Sequence, residues 1–308
     1  MTGKWDTSEM SQPIQNETII ANADILITGT SGQVGGALQR LFPAALMPGR
    51  DMLDLANEAS IREYIRVAQP RWILNPGAYT AVDKAESEPA LAKAINEDAP
   101  RILGEEAARI GARMIHFSTD YVFDGSGDTP WREDDATGPL GVYGATKLAG
   151  EQALAATGAQ HIILRTSWVF SATGKNFLLT ILRLARVREH LSIVADQYGA
   201  PTTADDLAAL TAHIVALDPD LIRVGGTYHA TSQGETTWHG FASEIVRLQA
   251  LAEPATPLAN ILPIPTSGFP TAAQRPLNSR LNCEKLASTF AFRLPPWQEA
   301  LATTFAQL

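Results

Sequence analysis

Asp24-Ile25-Leu26-Ile27-Thr28-Gly29-Thr30-Ser31-Gly32-Gln33-Val34-Gly35-Gly36 is a short apolar run that stops at a cluster of glycines. A run of this length, ended by glycines, reads as a buried strand. Val34, Leu38 and Leu41 then recur at helical spacing until Pro43 closes the pattern. The turn between strand and helix, Gly29-x-x-Gly32-x-x-Gly35, departs from the G-x-G-x-x-G spacing of the commonest dinucleotide fingerprint. Its physics is the same: glycines permit a tight turn and bring backbone N–H groups at a helix N-terminus close to a pyrophosphate.

Further apolar runs follow at Arg71–Asn75, Arg113–Phe117 and His161–Arg165, separated by Ala-rich and charged stretches at Ser60–Ala68, Ala90–Ile110 and Tyr143–Ala156. Strands alternating with helices imply βαβ units and a parallel sheet. The expected fold is α/β, a Rossmann-like doubly wound parallel sheet with a smaller, interleaved C-terminal lobe. Beyond residue 170 a helix is expected at Asn176–Val187, a short strand at Leu191–Val194 and a helix at Thr203–Leu217. Leu251–Arg280 carries Pro254, Pro257, Pro263, Pro265, Pro270 and Pro276, which suits an irregular lobe packed around a site. The expected division is an extension at 1–23, a dinucleotide-binding lobe at 24–170 that resumes at 191–223, and a substrate lobe from 171–190 and 224–308.

The 308 residues carry 24 Lys+Arg against 33 Asp+Glu, a formal net charge of −9. An acidic chain is poorly suited to neutralising nucleic-acid phosphates, and no nucleic-acid partner is expected. The single cysteine, Cys283, excludes a disulfide framework and a multi-thiolate zinc site, and it reads as a small buried residue, not a nucleophile. No run approaches the ~18 apolar residues of a membrane span, and the polar first 23 residues do not read as a signal peptide. A cytoplasmic location without membrane association is therefore expected.

Cofactor choice in such folds is made about 20 residues beyond the glycine turn. There the sequence is Leu46-Met47-Pro48-Gly49-Arg50-Asp51, and Arg50 offers a guanidinium fork to a 2′-phosphate. NADPH is expected, with NADH as the alternative; Asp54 and Leu55 are expected at the adenine end. Further on, Tyr143-Gly144-Ala145-Thr146-Lys147 puts a phenol and an ammonium on one helix face. An isolated phenol has a pKa of ~10, and a neighbouring ammonium moves it toward neutrality. The strand that precedes this helix ends in Phe117-Ser118-Thr119-Asp120-Tyr121-Val122-Phe123. Thr119 or Ser118 could there donate to a carbonyl oxygen on which charge develops, although a locally satisfied strand-end hydroxyl is the plain alternative for Ser118.

Together these motifs resemble the extended short-chain dehydrogenase/reductase superfamily, and within it the dTDP-4-dehydrorhamnose reductase family. The similar stretches are GTSGQVGGALQR (29–40), TAVDKAESEP (80–89), STDYVFDG (118–125), VYGATKLAGE (142–151), RTSWVF (165–170), DQYGAPT (196–202) and RPLNSRL (275–281). The resemblance implies NADPH- or NADH-dependent reduction of the 4-keto group of dTDP-4-dehydro-L-rhamnose to dTDP-L-rhamnose. It implies that Tyr143 protonates the oxygen, Lys147 tunes Tyr143 and also meets the nicotinamide ribose, and Thr119 holds the carbonyl. By the same resemblance, Gly32, Gln33 and Val34 meet the pyrophosphate and Ala78, Tyr79 and Thr80 the nicotinamide half. Thr119, Asp120 and Trp168 meet the sugar nucleotide, with Arg275 at its diphosphate. Some relatives hold a magnesium ion at a dimer interface through glutamates; Ala37 and Asp205 stand at those places here. No metal is expected, nor that mode of dimerisation, although a homodimer is compatible with the resemblance. Two other readings share the scaffold. One is another nucleotide-sugar 4-reductase or epimerase; the other is a non-catalytic regulatory subunit resembling that of methionine adenosyltransferase, which would have no need of Thr119, Tyr143 and Lys147 together.

Overall fold

The structure, a computed structural model, describes residues 24–217 and 225–308. The extension expected at 1–23, and the end of the stretch expected to return at 191–223, lie outside the described residues. The strands in chain order are β1 (Ile25–Ile27), β2 (Trp72–Asn75), β3 (Arg113–Thr119), β4 (Gln160–Thr166), β5 (Val169–Phe170), β6 (His190–Val194), β7 (Tyr198–Gly199), β8 (Thr202–Thr203), β9 (Gly226–His229), β10 (Thr236–Thr237) and β11 (Asn260–Ile264).

The main sheet has the order β1-β2-β3-β4-β9 and is parallel throughout. On the free side of β1, Leu46 makes a parallel bridge to Leu26, with Ile27 N–H donating to Leu46 C=O at 2.9 Å and Leu46 N–H to Ile25 C=O at 2.7 Å. The chain therefore leaves β1 for one side and returns on the other at β2. This puts the carboxyl end of β1 at a topological switch point, where ligands bind in open α/β sheets.

Side chains alternate across a strand, and here both faces are covered. Ile25 and Ile27 join Leu38, Leu74, Ile115, Leu164 and Leu207 in one core, which takes in the helices Gln33–Leu41 and Ala204–Ala216. Leu26 joins Ile61, Ile65, Ile73, Leu103, Met114 and Ile163 in the other, with the helices Glu58–Ala68 and Ala99–Ile110. Double burial explains why these strands read as continuous apolar runs.

Two segments differ from the sequence reading. The helix expected across Ala90–Ile110 is Pro89–Lys93, a π turn at Ala94–Asp98, then Ala99–Ile110. Pro100 supplies no N–H and its ring crowds the carbonyl four residues back, so the helix widens there. The Pro-rich segment contains a strand, β11, paired in parallel with β6. Pro263 is tolerated because a strand in a two-stranded sheet has one unpaired edge. β6 thus packs in a separate core with Leu178, Ile181, Phe241, Ile245 and Trp297, and the return toward β1 is made by Ala204–Ala216. No helix among the described residues is long and apolar enough to cross a membrane.

The glycine turn is sterically closed. Gly29 has φ +58°, and a Cβ on Gly35 would lie 2.2 Å from the Gly29 carbonyl oxygen. A Cβ on neighbouring Gly36 would meet Thr30 O at an ordinary 3.6 Å. Gly35→Ala is therefore expected to lower unfolding stability by about 1–3 kcal/mol. Gly36→Ala, in a helix interior, should raise it by roughly 0.5–1 kcal/mol. Equal urea midpoints for the two variants would refute this reading of the turn.

Candidate active site

Gly32 caps the helix Gln33–Leu41 with no side-chain hydrogen bond, and no acidic residue lies in its first turn. The N–H groups of that turn lack side-chain partners and carry the positive end of the helix field, a setting for an anion. With a turn that admits no Cβ at Gly29 or Gly35, this cradle fits the pyrophosphate of a dinucleotide. Gln33 fastens it to the strand beyond: its Nε2 donates to Val169 C=O at 3.2 Å, and its Oε1 accepts from Ser171 Oγ at 3.1 Å. Val34 and Leu55 are half-buried and pack into the two cores beside β1. Arg50 is exposed, its Nε 3.3 Å from Asp54 Oδ1, and Asp54 also accepts from Ala56 N–H at 3.0 Å.

After β2 the chain passes Ala78, Tyr79 and Thr80. Asn96, in the π turn, holds Tyr79 from both sides, accepting from its N–H at 2.8 Å and donating to its C=O at 3.0 Å. Asn96 also donates to Thr146 Oγ1 at 3.2 Å, which joins this stretch to the helix Val142–Ala155. The Tyr79 hydroxyl donates to Glu88 at 2.5 Å, and that bond pushes the phenol up to about 12.

Tyr143 and Lys147 lie on the helix Val142–Ala155, which comes close because Gly144 has no side chain: a Cβ there would lie 2.2 Å from Tyr121 O. The approach sets Tyr143 edge-on against the Tyr121 ring, with centroids 5.6 Å apart. The Thr119 hydroxyl hydrogen-bonds Asp120 Oδ1 at 3.0 Å and accepts from Tyr121 N–H at 3.2 Å. Burial pushes the Tyr143 phenol up, opposed by a hydrogen bond with Thr119. Burial pulls Lys147 down to about 8, opposed by Glu151 one turn away. Asp120 is pushed up to about 6 by burial, opposed by the hydroxyls of Ser279 and Thr119. Desolvation disfavours the charged form of each group.

This corrects one expectation. The phenol is not drawn down on balance: burial outweighs any pull from Lys147, whose amine lies against β3, 2.6 Å from Phe117 C=O and 3.3 Å from His116 Nε2. The hydroxyl that meets Tyr143 is that of Thr119, and Ser118 Oγ is buried without a partner, not satisfied at the strand end.

On the far side, Trp168 takes a positive φ of 50° and lies half-buried. One face of its indole is covered by Trp238, at 3.8 Å between centroids and 15° between planes, and Gly199 also lies against the ring, where a Cβ would come within 2.7 Å of Cε2. The segments 196–202 and 275–281 meet where Tyr198 N–H donates to Leu277 C=O at 2.8 Å and Ser279 N–H to Tyr198 C=O at 2.7 Å. Arg275 pairs with Asp83 at 2.7 Å and lies 3.3 Å from the Tyr121 hydroxyl. Tyr121, Tyr143, Glu86 and Pro276 line one cleft. Asp205 is ion-paired with Arg40 and Ala37 is buried. Among the described residues no group of three or more His, Cys, Asp or Glu could hold a metal ion.

The model of the RmlD substrate binding domain matches residues 23–308. The chain belongs to that family. It is 46% identical over 282 residues to the dTDP-4-dehydrorhamnose reductase of Shigella flexneri, covering 89% of this chain and 94% of that one. The dTDP-4-dehydrorhamnose reductase of Burkholderia thailandensis is 46% identical over 286 residues, with 90% and 96% covered. Among solved structures of the family, a dTDP-4-dehydrorhamnose reductase from Clostridium acetobutylicum superposes with a TM-score of 0.85 at 33% identity, covering 92% and 98% of the two chains. One from Bacillus anthracis, in complex with NADP, gives 0.84 at 33% identity, covering 92% and 99%.

Within this family scaffold, sequence reading missed Asn96, Tyr121, His116 and Trp238. His116 had a signal, as a histidine inside an apolar strand run; the others are brought in by packing. Asn96→Ala leaves the Tyr79 N–H and C=O without their partner, and each buried polar group so stranded costs about 1–3 kcal/mol. Chemical denaturation of Asn96→Ala should show a loss of at least that size, and wild-type stability would contradict the role given to the π turn.

Proposed function

We propose that this chain reduces the 4-keto group of dTDP-4-dehydro-L-rhamnose to give dTDP-L-rhamnose, with NADPH as reductant. The observation that carries the reading is the meeting of Thr119, Asp120, Tyr143 and Lys147 at the carboxyl end of β3, in a sheet whose switch point holds the glycine cradle. The 46% identity to reductases of that name and the NADP complex of a relative support the substrate and the cofactor.

NADPH, when bound, supplies a hydride to a carbonyl carbon. Gly29, Gly32, Gln33, Val34 and Gly35 would hold its pyrophosphate and Arg50 its 2′-phosphate. Asp54 and Leu55 would flank the adenine end, and Ala78, Tyr79, Thr80 and Lys147 the nicotinamide end. Tyr143 is the acid. A phenol kept neutral by burial holds its proton until an alkoxide, a far stronger base, forms beside it. Thr119 donates a second hydrogen bond to that oxygen, and the charge of Lys147 stabilises the phenolate left behind. Asp120 and the indole of Trp168 would orient the sugar. Arg275 would exchange Asp83 for the diphosphate, a bidentate partner of higher charge.

The division proposed for the chain is a cofactor lobe at 24–170, rejoined by the helix Ala204–Ala216 and by β9, and a substrate lobe built around β6 and β11; the boundaries expected at 191 and 224 shift because β6 packs in the second core and β9 is the fifth strand of the main sheet. A cytoplasmic site of action is supported by a chain that uses one cysteine and so no internal disulfide.

Following NADPH absorbance with dTDP-4-dehydro-L-rhamnose tests the activity; no oxidation at any pH would refute it. General acid catalysis is worth about 10²–10⁴-fold, so Tyr143→Phe should lose turnover in that range while its NADPH affinity stays within a few-fold. Arg50→Ala should weaken NADPH by about tenfold, the equivalent of ~1.4 kcal/mol, and leave NADH unchanged.

A further inference from the structure

A row of buried polar side chains crosses the sheet beneath Lys147, and the reaction as described gives it no task. Asn75 on β2 is the register partner of His116 on β3, and Thr28 follows β1 one step past the Ile27–Leu74 pair. Parallel register therefore sets three polar residues side by side at one level of the sheet. All three are within 1% of full burial, and Lys147 is 2% exposed. The contacts are continuous: Gly77 N–H to Thr28 Oγ1 at 3.3 Å, Thr28 Oγ1 to Asn75 Oδ1 at 2.6 Å, Asn75 Nδ2 to His116 Nδ1 at 3.0 Å, and His116 Nε2 to Lys147 Nζ at 3.3 Å.

The directions follow from the orientation of the Asn75 amide. Its Oδ1 faces Thr28 and can only accept, so the Thr28 hydroxyl donates to it. The Asn75 amide nitrogen then faces His116 and donates to Nδ1. A neutral imidazole has one donor and one acceptor nitrogen, so the proton of His116 sits on Nε2 and points at the lysine. An ammonium has only donors and gains nothing from that N–H, whereas a neutral amine accepts it through its lone pair. The other charged or titratable groups that bear on this row are Tyr143 and Glu151 on the lysine's own helix, Asp120 past β3, and His161 on β4. Glu151 is bound by Arg165 of β4 at 2.7 Å, and burial holds His116 in its neutral form.

We propose that His116, locked by Thr28 and Asn75 in the tautomer protonated on Nε2, is a positioning residue that loosens the hold of Lys147 on its proton. This rests on reading Tyr143 and Lys147 as the acid–base pair. Once Tyr143 has given its proton to the sugar oxygen, the phenolate takes one from the Lys147 ammonium. The neutral amine accepts the His116 N–H and regains its proton from solvent. His116 keeps its tautomer throughout, and the net change is one proton from solvent to product.

Two measurements test this. In nitrogen-15 spectra of the wild-type protein, with the His116 signals assigned by their loss in His116→Gln, the proton should be found on Nε2 at neutral pH; a proton on Nδ1, or an imidazolium, overturns the proposal. Asn75→Asp replaces the donor to Nδ1 with an acceptor and so forces the opposite tautomer, in which Nε2 accepts from the ammonium. The alkaline limb of the NADPH-oxidation profile should then move up by about one pH unit, a tenfold gain in proton affinity. The added carboxylate acts on the lysine through space as well, so the same change is made in a His116→Phe background, where the shift should fall by more than half. An unmoved limb, or an equal shift without His116, overturns the proposal. Lys147→Met retaining wild-type turnover would instead refute the acid–base reading, whatever tautomer the spectra report.

Discussion

The close approach at the glycine turn is the constraint on which the rest of the molecule depends. The helix Gln33–Leu41 begins where it does because Gly35 can lie against the Gly29 carbonyl, where a Cβ would come within 2.2 Å. That contact fixes the helix on β1, aims an uncapped N-terminus at the switch point, and leaves Gln33 within reach of Val169 and Ser171. The turn also sets Thr28 at the end of β1, where its hydroxyl meets Gly77 and Asn75. A cofactor cradle and the head of a buried polar row are therefore built from the same few residues.

The catalytic pair is then placed by a second close contact. Gly144 against Tyr121 draws the helix Val142–Ala155 onto the end of β3, which brings Tyr143 to Thr119 and sinks Lys147 between Phe117 and His116. Burial is the dominant electrostatic influence on all of these groups. It keeps Tyr143 and Asp120 toward their neutral, protonated forms and draws Lys147 toward its neutral amine. Such a site is poised to give protons, as ketone reduction demands.

The central sheet was legible because helices cover both its faces, so that β1 to β4 appear as unbroken apolar runs. The glycine spacing and the Tyr143–Lys147 spacing were legible for a related reason: each is a local pattern set by one turn or one helix face. What could not be read depends on partners distant in the chain. β11 was hidden by Pro263, tolerable only in a strand with a free edge. The π turn that buries Asn96 follows from Pro100 but reveals no partner for that amide. Stacking of Trp168 on Trp238 and the Asn75–His116 pairing rest on packing and register that no local pattern encodes. The expectation of a lowered Tyr143 phenol failed on the same ground, since helical spacing puts Tyr143 and Lys147 on one face and says nothing of how deeply packing buries them.

The central claim, that this site delivers a reductant's hydride to the keto carbon of a nucleotide sugar, is tested most directly by isotope transfer. With deuterium at C4 of the nicotinamide of NADPH, on the transferred face, and dTDP-4-dehydro-L-rhamnose as acceptor, the sugar nucleotide formed should carry one deuterium at C4 by mass and proton spectra. A product without the label, or labelled cofactor recovered unoxidised, would contradict the account.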